Sequence, residues 1–179
     1  MIGALILSHG PMAEALIASV EILVGKLPQV RAISIWPKDP PAEVEERIRR
    51  ELESLQDGAG VILFTDLLGG TPTNFSLPFL EGKDRIVITG VNVPMLLAFA
   101  SYRSNTPLQK ISALIRKAGR KGIRIAPTKP RWSLLGRKSQ GLEKLPEGRS
   151  EPDRLRFPWR KKIRARIIDE NGHPKMEIL

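Results

Sequence analysis

The run Leu5-Ile6-Leu7-Ser8-His9-Gly10-Pro11-Met12 sets a histidine where an apolar stretch gives way to a turn. A neutral imidazole is a nucleophile near pH 7 and can carry a phosphoryl group on one ring nitrogen. A carboxylate on the other nitrogen fixes the tautomer and stabilises the positive charge that develops during transfer. Asp66 is the candidate carboxylate. It closes a second apolar run, Gly60 to Thr65, and precedes Leu67-Leu68-Gly69-Gly70-Thr71-Pro72. A bound phosphoryl group also needs donors, which glycine-rich turns and helix N-termini supply. Ser8, Thr71 and the amides around Gly10 and Gly70 are the candidates. On its own stretch, His9 reads more readily as an ordinary turn residue. It gains a partner only if the fold makes the ends of the two apolar runs neighbours.

Other chemistries fit less well. Ser8 precedes His9 directly and could hardly aim its hydroxyl at that ring, and no Gly-x-Ser-x-Gly elbow occurs. A histidine phosphatase wants an arginine beside the nucleophile and a second histidine as acid, yet His173 is far along the chain. There is no Walker-type phosphate loop. The chain has no cysteine and only two histidines. Thiolate chemistry is therefore excluded, and neither a metal site nor a cofactor is expected. Ile2 to Leu7 is too short for a membrane span and has no basic flank before it, so a cytoplasmic protein is expected.

The positioning elements follow from periodicity. Ile2 to Ser8, Val30 to Trp36, Gly60 to Thr65 and Arg85 to Thr89 read as strands. Between them, Met12, Leu16, Ile17, Val20, Leu23 and Val24 mark one face of a helix ending at Gly25. Val44, Ile48 and Leu52 mark a second, over Pro41 to Leu55. Thr71 is expected as an N-cap with Pro72 the first helical residue, and Pro78 shortens or bends that helix. Two more helices are expected, one from Pro94 to about Arg103 and one from Pro107 to Ala118, with Gly119 and Gly122 as its stop.

This alternation implies an α/β fold with a mainly parallel sheet. A flavodoxin-like order 2-1-3-4 puts the switch point between the ends of strands 1 and 3, where His9 and Asp66 lie. Residues 1–126 form the expected domain. Residues 127–179 read as a basic, flexible tail rich in Pro, Gly and Ser, with a cluster at Trp159 to Arg166. The chain's net charge is +10; residues 1–126 carry +3 of it and the remaining 53 residues +7. That asymmetry argues against a nucleic-acid binder.

At these residues the chain resembles the mannose-family enzyme IIA domain of the bacterial sugar phosphotransferase system. The matching features are Ser8-His9-Gly10, Glu14, Gly25, Asp66 with Gly69-Gly70-Thr71-Pro72 and Asn74, and Gly90-Val91-Asn92-Val93-Pro94-Met95. The resemblance implies that His9 accepts a phosphoryl group from the phosphocarrier protein HPr and passes it to an enzyme IIB. Asp66 would pair with His9, and Thr71 would lie near the phosphoryl oxygens. It also implies a homodimer that exchanges a last strand, here Ile123 to Ala126, and contact with a membrane only through a permease complex. Two departures stand out. Leu67 follows the aspartate where a hydroxyl residue is common, and Pro11 follows His9-Gly10 where a bulky aromatic is common. The same residues would also serve a regulatory module whose phosphorylation reports the state of the pathway, or a phosphocarrier subunit of a dihydroxyacetone kinase.

Overall fold

Two glycine-flanked apolar runs, each buried on both sides, make the centre of the sheet. The computed structural model describes residues 1–55, 59–80, 82 and 84–125. Among these the elements are β1 (Gly3–His9), α1 (Met12–Val24), β2 (Val30–Ile35), α2 (Pro41–Ser54) and β3 (Val61–Thr65). Then come α3 (Thr71–Ser76) with a 3₁₀ turn (Leu77–Leu80), β4 (Arg85–Thr89), α4 (Val93–Tyr102) and α5 (Leu108–Gly122). The strands pair in parallel in the order β2-β1-β3-β4, the flavodoxin-like arrangement expected.

Alternation along β1 divides the core in two. Ala4 and Ile6 face a cluster with Val20 of α1, Leu96 and Phe99 of α4, and Ile111 and Ile115 of α5. Leu5 and Leu7 face Val44, Ile48 and Leu52 of α2. Burying each of the Val, Leu, Ile and Phe side chains among these is worth about 1.5–3 kcal/mol. Phe64 of β3 meets Phe99 edge to face, with ring centroids 5.8 Å apart. These two layers clamp β1 and β3, so the residues just past their ends are held by a rigid base.

Register completes the placement. Leu7 pairs with Thr65, and His9 pairs with Ile35. Asp66 therefore comes level with Ser8 and within reach of His9.

Two local expectations need correction. Thr71 is not an N-cap: Gly70 holds that position, and Thr71 is already helical with Pro72 after it. The helix after Pro107 does not stop at Ala118 but continues to Gly122. Gly119 is a contact residue there, because a Cβ on it would stand 2.5 Å from Met95 Cγ. Its missing side chain lets α5 approach α4. Among the described residues, Ile123 to Ile125 join no strand of their own chain. Ile123 and Ile125 are 83% and 100% exposed. Ala126, the segment 127–179, the cluster Trp159 to Arg166 and His173 lie outside the described residues.

Gly119→Ala should destabilise the fold by about 1–3 kcal/mol, the usual cost of overpacking a filled interface. Urea denaturation followed by circular dichroism would read this as a lower midpoint with an unchanged slope.

Candidate active site

His9 is the last residue of β1, and its side chain is 51% exposed while that of Asp66 is 12% exposed. Asp66 Oδ2 accepts from the His9 backbone N–H and pairs with His9 Nδ1, both at 2.8 Å. Asp66 Oδ1 accepts from the Leu67 N–H at 2.7 Å. The carboxylate is thus gripped on both oxygens, and it holds the histidine by main chain and ring together. A carboxylate can only accept, so the bond to Nδ1 places the ring proton there. Nε2 keeps its lone pair, and among the described residues it makes no hydrogen bond.

Partial burial pushes the Asp66 carboxyl upward. The His9 amide, the His9 ring with its charge, and the Leu67 amide outweigh this and hold it below the ordinary aspartate value. The group stays ionised across the neutral range and faces the His9 ring as a fixed anion.

Gly10 takes φ +56, turning the chain from β1 into α1. Gly70 lies against the ring: a Cβ there would stand 3.0 Å from His9 Cε1 and 3.2 Å from the Leu67 carbonyl oxygen. Any side chain would crowd the imidazole, which is a physical reason for glycine at this point.

Of the four groups expected to hold phosphoryl oxygens, three are already engaged. The Ser8 hydroxyl is buried, donating to the Gly10 carbonyl at 3.1 Å and accepting from the Ala13 N–H at 2.8 Å. It caps the start of α1. The Gly10 N–H donates to Ile35 O, and the Gly70 N–H donates to Leu67 O. Thr71 differs. It is exposed, it follows Gly70 directly, and among the described residues its hydroxyl makes no hydrogen bond.

Sequence reading missed Trp36. It falls one residue past β2, is 52% exposed, and its ring lies 3.6 Å from where a Gly10 Cβ would be. Asp39 fixes the turn that carries it, accepting from the Trp36 N–H at 3.0 Å and from Arg47 at 3.3 Å. With strand 2 beside strand 1, an aromatic just past strand 2 followed by proline was the available signal. Leu67 and Leu68, 62% and 75% exposed, sit on the other side of the histidine at the end of β3. Both departures of the motif therefore fall at this end of the sheet: a leucine follows the aspartate, and an aromatic is present but comes from the turn after β2.

Residues 3–116 match the family model described as the PTS system fructose IIA component, EIIA-man. The chain is 31% identical over 125 residues to the PTS system mannose-specific EIIAB component of Escherichia coli K12, covering 69% of this chain and 39% of that protein. It is 28% identical over 114 residues to the sorbose-specific EIIA component of Lacticaseibacillus casei, covering 63% of this chain and 82% of that one. The crystal structure of phosphotransferase system component EIIA from Streptococcus agalactiae superposes with a TM-score of 0.64 at 26% identity, over 70% of this chain and 97% of that one. The chain thus spans about 39% of the length of the mannose-specific relative it matches.

The lowered Asp66 value has a pH signature. Its stabilising contribution is complete above the ordinary aspartate value of about 3.9 and is lost as pH falls through the lower folded value. Asp66→Asn should therefore be less stable than the parent at pH 7, and the gap should narrow at pH 3. Urea midpoints at the two pH values measure it.

Proposed function

We propose that this chain, which belongs to the EIIA-man family of PTS IIA components, is a phosphocarrier in sugar uptake with His9 as its transiently phosphorylated residue. The observation that carries this reading is the division of labour on one ring. Nδ1 is committed to Asp66 at 2.8 Å, while Nε2 makes no hydrogen bond among the described residues and belongs to a half-exposed side chain.

The chemistry follows. The Nε2 lone pair attacks the phosphorus of a phosphohistidine on HPr; the donor P–N bond breaks as the new one forms. Nδ1 keeps its proton, so the ring becomes cationic, and the Asp66 anion stabilises that charge. Thr71 is exposed and is the side chain we assign to donate to a phosphoryl oxygen. Ser8, Gly10 and Gly70 shape the turns instead, their polar groups being engaged within the chain. Transfer onward to an enzyme IIB reverses the step, and the sugar itself never needs to touch this domain.

The carrier unit comprises residues 1–126, acts in the cytoplasm and pairs as a homodimer. No helix among the described residues is long and apolar enough to cross a membrane. Support for pairing comes from the open side of β4. A cavity of about 170 Å³ lies there, lined by Ile88, Met95 and Ile123 together with the polar Asn92, Arg116 and Arg120. Ile123 and Ile125 beside it are exposed apolar side chains with no strand partner of their own. A partner's segment would pair with the free edge of β4 and cover them.

Incubation with phosphoenolpyruvate, enzyme I and HPr should add one phosphoryl mass to the intact chain. The label should be lost in acid and survive alkali, as a phosphoramidate does. His9→Ala should abolish the label and His173→Ala should not; equal labelling of both variants overturns the assignment. A chain ending at residue 126 should still take up the label and sediment as a dimer, and an inactive or monomeric product would move the domain boundary.

A further inference from the structure

The loop that carries Asp66 has little packing of its own. Leu67 and Leu68 point largely into solvent, and a Cβ on Gly69, which takes φ +76, would meet nothing within 4 Å. Hydrogen bonds must hold its shape. Asn74 Nδ2 reaches the Gly69 carbonyl only at 3.4 Å from an exposed position. The Gly70 N–H donates to Leu67 O at 3.1 Å, a bond within the loop itself. The anchor to the core is Thr73, 4% exposed, whose hydroxyl donates to Leu67 O at 2.6 Å.

That hydroxyl also lies 2.7 Å from the hydroxyl of Thr65, a residue with no exposed surface. A carbonyl cannot donate, so the single proton of Thr73 is spent on Leu67, and Thr65 must be the donor to Thr73. The bonds form a directed chain. Thr65 donates to Thr73, and Thr73 donates to the Leu67 carbonyl. The N–H of the same Leu67 donates to Asp66 Oδ1, and Asp66 Oδ2 holds His9.

We propose that Thr73 is a positioning residue for the Asp66–His9 pair: its buried hydroxyl fixes Leu67, whose amide orients the carboxylate. Leu67 itself offers no side-chain hydroxyl to do this, so the restraint comes from one turn further along the chain. The inference concerns the site proposed above, but its first readout does not depend on phosphotransfer.

The test is ring-nitrogen NMR of ¹⁵N-histidine-labelled full chain at alkaline pH, where the two nitrogen shifts report which one carries the proton. The parent should show mostly the Nδ1–H tautomer for His9. Thr73→Val keeps the shape of the side chain but loses the donor, and it should move the shifts toward a tautomer mixture. Thr73→Ser should restore the parent shifts. Thr65→Val removes a buried hydroxyl yet leaves the Thr73–Leu67 bond, so it should lower the melting temperature without moving the tautomer. Unchanged shifts in Thr73→Val overturn the proposal, as does an equal change in Thr65→Val, which would mean general loosening. The rate of labelling from phosphorylated HPr is the second readout, expected to fall on the order of tenfold in Thr73→Val and to recover in Thr73→Ser. If the parent takes no label, the phosphocarrier reading fails, while the tautomer comparison still decides the role of Thr73.

Discussion

The carboxylate of Asp66 is the point on which the site turns. It accepts from the backbone and the ring of His9 on one oxygen and from Leu67 on the other. Such a group works only if the ends of two strands, 57 residues apart in sequence, are held side by side. The sheet order, the parallel register of β1 with β3 and the two helical layers all serve that requirement. Charge-assisted bonds of this kind are short and stronger than neutral ones, so a shift of one strand end would weaken the pair directly.

The fold was largely readable from the sequence because its central strands are buried on both faces. Ile2 to Leu7 and Val61 to Phe64 are nearly continuous apolar runs, and the alternation of strand and helix leaves few topologies. His9 and Asp66 were readable as a pair for the same reason: both follow such runs, and the switch-point rule makes them neighbours. Glycines were harder. Gly25, with φ +87, does close α1, as its place after the apolar stripe suggests. Gly119 looks identical in sequence but faces Met95 inside a continuing helix. Nothing local separates a stop from a close approach between helices; the neighbour decides.

The polar groups around His9 show the same limit. Ser8, Gly10 and Gly70 are of the right type and adjacent to His9, yet the turns consume their donors. Residue type tells what a group can donate; only the folded chain tells whether the proton is already spent. Thr65 and Thr73 are the converse. Their hydroxyls look unremarkable in an apolar strand and a short helix, and their meeting depends on how α3 is set back on β3. Trp36 likewise becomes relevant to the site only through the pairing of β2 with β1.

The sheet order has a further consequence, for the time at which the site comes into being. β1 is made first but lies in the interior of the sheet, and its partners β2 and β3 arrive later from the same chain. Each pairing is parallel and closes a loop across an intervening helix, so none is a local hairpin, and such topologies raise the entropic barrier to folding. A nascent chain that has released β1 and β2 has an open apolar edge and a histidine without its carboxylate. Only when β3 inserts does that edge disappear, and the same event delivers Asp66. Closing the core and giving His9 its carboxylate partner are thus one step in the life of the polypeptide, and a partly folded chain has no assembled Asp66–His9 pair.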